Sequence, residues 1–319
     1  MKQNTMQKLI LAMVLTVLSA LSVQAEENKR APNKLRIYTA GNSFHMRLPT
    51  WLTAIEKAAN VALHEQIGVS YMASAWVKEH LGKIDATHQA RPVIESGNLD
   101  VLTLGGMHTP DDGIDTFATT GIEHNPKLIV TYQEFWLPYD RLDYPLTRKN
   151  FFGDLAISLR TWKDATDTTK TPKDTSNFDI PTADQLEKLH EPYFQGINTY
   201  IGDLNRKLGR NVIRVVPVGQ AVLALRRKVV AGEVPGVSKQ SELFQDNLGH
   251  PSDAIRALAG YCHFIVLHQK DPRGLTLPLF PFTKRDNPFK QDCNLILEEV
   301  AWKAVTEHPL SGFYQGKPN

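Results

Sequence analysis

Apolar residues change their period repeatedly along this chain, and each change marks an element. Leu35-Arg36-Ile37-Tyr38-Thr39-Ala40 alternates and is rich in β-formers, which predicts a first strand. It stops at Gly41-Asn42-Ser43, after which Leu48, Leu52, Ile55, Ala59 and Ala62 fall at helical spacing. Further strands are expected at Ile67–Met72, Asp100–Leu104, Leu128–Gln133 and Val212–Val216. Helical patterns cover Gly113–Gly121, Thr182–Leu208, Ala221–Val230, Ser252–His268 and Asn294–Val305, with Gly209 as a C-terminal stop. Ala73 to Ser96 is polar and amphipathic. Strands alternating with helices predict an α/β protein: a doubly wound, flavodoxin-like parallel sheet of about five strands with helices on both faces.

Two stretches depart from that pattern. From Leu137 to Asp184 the apolar period is lost, and Trp162 to Pro172 consists largely of turn formers, so 137–184 reads as a polar excursion from the sheet, a rim or a lid. At the N-terminus Lys2 and Lys8 precede the apolar run Leu9 to Leu18, and small residues lead to Ala25. That layout predicts a signal peptide over 1–25, cleaved after Ala25, then a linker over 26–34 and a single domain over 35–319. The apolar run is too short to span a bilayer comfortably, and no cysteine follows it for lipid attachment. The mature protein is expected to be exported, periplasmic or secreted, without a membrane anchor.

Charge narrows the partners. The chain has 36 Lys+Arg against 34 Asp+Glu, and removing Lys2 and Lys8 leaves 34 against 34. A near-neutral mature protein argues against nucleic acid, whose phosphates call for a basic surface. Its two cysteines, Cys262 and Cys293, read equally as one bridge or as two buried thiols. Arg226-Arg227-Lys228 reads as a solvated helix face, and Trp51, Trp76 and Trp302 as core or half-buried residues.

Open parallel sheets carry their chemistry at the carboxyl ends of the strands. Four loops leave such ends here: Gly41 to His45, Met72-Ala73-Ser74, Gly105 to His108, and Gln133 to Trp136. Ser43 is a candidate nucleophile, although Gly41-Asn42-Ser43 taken alone reads first as a helix cap or turn. A serine hydroxyl needs a base. Asp246 and His250, on a late polar loop before a C-terminal helix, can supply one, with the carboxylate holding Nδ1–H and leaving Nε2 for the serine. His45, His108 and His250 with Asp111 or Asp112 show no metal-ligand spacing, so neither metal nor cofactor is expected. Phe135 and Trp136 leave a strand at the functional rim, either as an aromatic shelf for a sugar ring or as packing under the excursion.

With these residues in view, the chain resembles the SGNH (GDSL-like) hydrolase superfamily, in a branch of secreted proteins from environmental bacteria. Gly41-Asn42-Ser43-Phe44 is similar to its first block, with Asn42 in place of the usual aspartate, and Asp246 with His250 to its last block, usually Asp-x-x-His. The likeness extends to Asp100–Leu104, Gly113-Ile114-Asp115, Gln133–Pro138, Val216–Ala221 and Leu243–Ser252. It implies Ser43 as nucleophile, His250 as general base and then acid, and Asp246 as the orienting carboxylate. Asp246 stands four residues before the histidine instead of three, which leaves Asn247 as an alternative and Gly249 to absorb the extra residue as a bulge.

The resemblance further implies an oxyanion hole drawn from Ser43, Ala73, Ser74, Gly105, His108 and Gln133, with Met107 where an asparagine is expected, and substrate contacts from Asn42, Phe135 and Trp136. The activity implied is ester hydrolysis through an acyl-enzyme, removing small acyl groups from a carbohydrate or cell-envelope substrate. The alternative is a catalytically degenerate protein of the same fold that binds glycans.

Overall fold

The period-two stretches all enter one sheet. In a computed structural model, which describes residues 34–73, 75–83, 85–106, 109–136, 175–246, 249–277 and 291–313, the strands are β1 (Arg36–Gly41), β2 (Glu65–Tyr71), β3 (Val101–Gly105), β4 (Ile129–Gln133) and β5 (Ile213–Val216). They pair in the order β2-β1-β3-β4-β5, every pair parallel, so the expected α/β class and doubly wound order are what the chain adopts. The signal-peptide and linker expectations over 1–33, and most of the excursion, lie outside the described residues.

Helices α1 (Leu48–Ala58), α2 (Glu79–Gly82), α3 (Ala90–Glu95), α4 (Asp112–His124), α5 (Ala183–Lys207), α6 (Val218–Val230), α7 (Asp253–His268) and α8 (Gln291–Glu307) clothe both faces. Alternation along each strand divides the core in two. Ile37, Val101 and Val216 pack with α1, α6, α7 and α8, whereas Tyr38, Leu102, Leu104, Val130, Tyr132 and Val215 pack with α3, α4 and α5. Helix α7 is apolar nearly all round because it is buried between the sheet, α1 and α8. No helix among the described residues is long and apolar enough to cross a membrane.

Capping chemistry explains where helices begin. Asp111 accepts the Gly113 N–H at 2.9 Å ahead of α4, and Thr182 with Gln185 forms a reciprocal capping box ahead of α5. Helix α1 starts differently. Its N-cap position is Arg47, without a side-chain cap bond, and a proline sits in its first turn. Ser43 is therefore four residues too early to be the cap, and of the two readings, cap or turn, it is the turn that the chain adopts there.

Two expectations change, and of the two readings of the cysteines the structure takes one. Arg226 is buried, not solvated: Nε donates to Gln240 Oε1 at 2.8 Å and Nη2 to the Phe178 carbonyl at 3.1 Å, while the guanidinium lies over the Phe178 and Phe244 rings. The excursion ends earlier than 184, because the short 3₁₀ turn Ser176–Asp179 docks on the core. Phe178 is buried there with its ring 4.2 Å from that of Phe244, and Asp179 accepts Ser241 N–H and O–H. Cys262 and Cys293 are both buried and both free, and burial pushes the Cys293 thiol up to about 11.

Register matters most for the site. Gly41 pairs with Tyr71 on one side and Gly105 on the other, Gly105 with Gln133, and Gln133 with Val216. All five strands thus end on one line, and the loops that follow emerge along one edge.

Candidate active site

The loop after β1 turns sharply at that edge. Asn42 is buried and makes the turn: its carbonyl accepts the N–H groups of His45 and Met46, each at 3.0 Å, and its Oδ1 accepts the Phe44 N–H at 3.0 Å. This is an Asx-type turn, so Asn42 builds the loop with its oxygens, while its buried Nδ2 has no partner among the described residues. The turn leaves Ser43 half-buried at the mouth of a small cleft between the start of α1 and α7.

The partner loop is built by a return of the chain upon itself. Gln245 N–H bonds the His250 carbonyl at 2.8 Å, and Ser252 N–H bonds the Leu243 carbonyl at 2.9 Å, around a bridge between Phe244 and Pro251. Gly249 closes the turn at φ +78, a left-handed conformation that suits glycine, with its N–H on the Asp246 carbonyl at 3.1 Å. The extra residue between carboxylate and histidine is taken up in this turn. His250 Nδ1–H then donates to Asp246 Oδ2 at 2.6 Å, and Ser43 Oγ lies 2.8 Å from His250 Nε2. The carboxylate fixes the tautomer, so Nε2 is the lone-pair nitrogen that accepts the Ser43 O–H. Asn247 lies outside the described residues.

Aromatic packing holds the imidazole flat. The Phe44 ring stacks on that of His250 at 4.8 Å and 13°, and meets Phe135 and Trp136 edge-on at 4.9 Å and 5.3 Å. Trp136 Nε1–H donates to the Gly249 carbonyl at 3.0 Å, tying the end of β4 to the histidine loop. Phe135 and Trp136 are both buried, so the open-shelf expectation fails for them: Phe135 belongs to the core under α5, and Trp136 gives only a wall of the cleft.

Behind Ser43 lies a buried polar layer that sequence reasoning missed. His45 Nδ1–H donates to Gln133 Oε1 at 3.0 Å, and His45 Nε2 accepts from Thr103 Oγ1 at 3.1 Å. His263 Nε2–H of α7 donates to the same Gln133 oxygen at 3.2 Å, and Gln133 Nε2 donates to the Phe44 carbonyl at 3.3 Å. Gln133 is thus a clamp on the nucleophile loop, not an oxyanion donor as expected. Gly105 is corrected too: it lies inside the sheet with the His45 ring against it. One sequence signal was available, since both flanking strands end in glycine, Gly41 and Gly105, beside a bulky residue that must lie across them.

Burial pushes His45 down to about 4 and holds His263 well below its ordinary value, so both rings are neutral. A native value of about 4 against the ordinary 6.5 means that the unfolded chain takes up a proton which the native state refuses. Stability is accordingly full above about 6.5 and is lost as pH falls toward 4. Going from pH 7 to pH 5 is expected to cost about 2 kcal/mol from this imidazole alone, read as a lower urea midpoint at pH 5.

Of the remaining oxyanion candidates, Ser74 and His108, and Met107 with them, lie outside the described residues. Ala73 is exposed in the turn after β2, which Met72 N–H anchors to the Gly41 carbonyl at 3.2 Å. The N–H groups of Ser43 and Ala73 have no partner among the described residues. Asp111 is occupied by the N–H groups of Val77, Lys78 and Gly113, and no group of three His, Cys, Asp or Glu side chains gathers among the described residues as a cation site.

What fold and edge define together is an α/β protein with a five-stranded parallel sheet and a Ser-His-Asp array on its carboxyl rim. No family model matches the chain, and no curated protein matches it. Among solved structures it is similar to a DUF4886 family protein from Bacteroides uniformis, at 11% identity and a TM-score of 0.48, over 86% of this chain and 96% of that one.

Proposed function

We propose that the chain is an exported serine hydrolase of SGNH type, an esterase that removes small acyl groups from a carbohydrate or cell-envelope ester. The observation that carries this is the continuous hydrogen-bonded path from Ser43 Oγ through His250 to Asp246, at 2.8 Å and 2.6 Å. Ser43 Oγ adds to the ester carbonyl while His250 Nε2 takes its proton, and Asp246 stabilises the imidazolium that forms. Collapse of the tetrahedral species breaks the bond to the alcohol oxygen, which receives the proton back from His250 and leaves an acyl-Ser43. Water, deprotonated by the same nitrogen, then attacks the acyl carbonyl, and release of the acid restores the serine. Among the described residues, the main-chain N–H groups of Ser43 and Ala73 and the Asn42 Nδ2 amide are donors without a partner for the oxyanion. Each such donor is typically worth about 2.7–4 kcal/mol in the transition state.

A glycan-binding protein without turnover is the second reading. It is favoured by the engagement of the Gln133 amide on the Phe44 carbonyl, which withdraws one side-chain donor from the site. A fluorophosphonate probe separates the two. The folded protein is expected to label at neutral pH, and Ser43→Ala to abolish the label. A folded wild type that does not react contradicts the hydrolase reading.

A further inference from the structure

The cleft beside Ser43 carries charge of one sign. Arg47 and Arg256 both line it, and no carboxylate does. The nearest acids are committed elsewhere: Asp246 to His250, and Asp253 to Arg256 Nη1 at 2.9 Å. Asp253 on Nη1 and Gln245 Oε1 on Nη2, at 3.3 Å, hold the Arg256 guanidinium in place, and its buried Nε has no partner among the described residues. Arg47 is exposed and has no ion-pair partner among the described residues. It sits at the N-cap of α1, whose first turn contains no acidic residue to offset its charge. The other lining residues are uncharged, with Leu48, Trp51 and Trp136 as apolar walls beside Ser43 and Gln133 and the neutral His45 ring. A neutral acetyl or sugar hydroxyl has no use for an unpaired arginine four residues from the nucleophile.

We propose that the substrate carries a carboxylate close to its scissile ester and that Arg47 is the residue that selects it, with Arg256 as a second, pre-positioned guanidinium. This rests on the reading of Ser43 as nucleophile. A guanidinium matches a carboxylate through paired N–H donors, a geometry that an ammonium does not reproduce. The carboxylate belongs to the acyl group, as in a dicarboxylic half-ester, or to the alcohol, as in an O-acetylated uronic acid.

Two matched pairs of substrates tell these apart. The 4-nitrophenyl half-ester of succinic acid is compared with 4-nitrophenyl acetate for the acyl side. O-acetylated polygalacturonate is compared with O-acetylated xylan for the alcohol side. Wild type is expected to favour the anionic member of one pair by about tenfold or more in kcat/KM. Arg47→Ala should reduce that preference by about tenfold, chiefly through KM, and Arg47→Lys should restore only part of it. Added salt should shrink the preference in wild type but not in Arg47→Ala. A wild type that prefers the neutral member of both pairs, or an Arg47→Ala variant that keeps the anionic preference, overturns the proposal. Fluorophosphonate labelling accompanied by no charge preference overturns this inference alone, and absence of labelling removes the hydrolase reading and this one together.

Discussion

Alanine at His250 is expected to lower kcat by at least about 10³-fold on 4-nitrophenyl acetate, and alanine at Ser43 by the same order. The double variant should be no slower than either single one. In the proposed mechanism Ser43 and His250 act as one unit, because the serine without a base is not deprotonated and the base without a serine has only water to activate. Asp246→Asn preserves the shape of the loop but presents an amide where a carboxylate now accepts at 2.6 Å. It should therefore cost a comparable factor, through loss of the correct tautomer and of charge opposite the imidazolium. All four proteins should unfold at similar urea concentrations, since the three side chains are partly exposed and none supports the core. A His250→Ala protein retaining more than one-tenth of the rate would sink the triad.

The second large effect is expected at a residue with no chemistry of its own. A methyl group on Gly105 would lie 2.5 Å from both Cβ and Cγ of His45, far inside contact distance. His45 cannot retreat without breaking its bonds to Thr103 and Gln133, and Gln133 in turn holds the Phe44 carbonyl. Gly105→Ala should therefore cost about 1–3 kcal/mol or more in stability and displace the nucleophile loop as well. Urea unfolding and the fluorophosphonate labelling rate, measured on the same preparation, should both fall. A variant that loses stability but labels at the wild-type rate would show that the polar layer supports the sheet without positioning Ser43.

Those two sites differ in how far the sequence revealed them. Each half of Ser43, Asp246 and His250 carried a local signal, a strand that ends in a tight turn and an acid with a histidine on one short polar loop, but joining the halves across 207 residues rested on the resemblance. Strand and helix limits fell within a few residues for the same reason, since the period changes where the chain turns. Gln133 was misread because its role depends on partners 88 and 130 residues away, and no spacing reports them. Arg226 fails for a related cause. Three basic residues in a row on a helix read as solvated, yet α6 turns one of them inward, where its guanidinium lies over two phenylalanine rings and donates to an amide oxygen and a carbonyl. Asn42 shows the converse: a polar residue beside Ser43 builds the turn with its oxygens, leaving only its Nδ2 without a partner among the described residues.

The hydrogen bond between Ser43 and His250 spans 207 residues, from the first strand to a loop that precedes the last two helices. In the proposed mechanism, competence for chemistry is thereby tied to completion of a contact between segments far apart in the chain. While the ends are apart, the serine is an ordinary alcohol and the histidine an ordinary imidazole, because neither is activated by anything near it in sequence. On that reading, reactivity toward an electrophile is expected to be a chemical clock for folding: it starts only when the loop after β1 has met the histidine loop, whatever secondary structure has formed before.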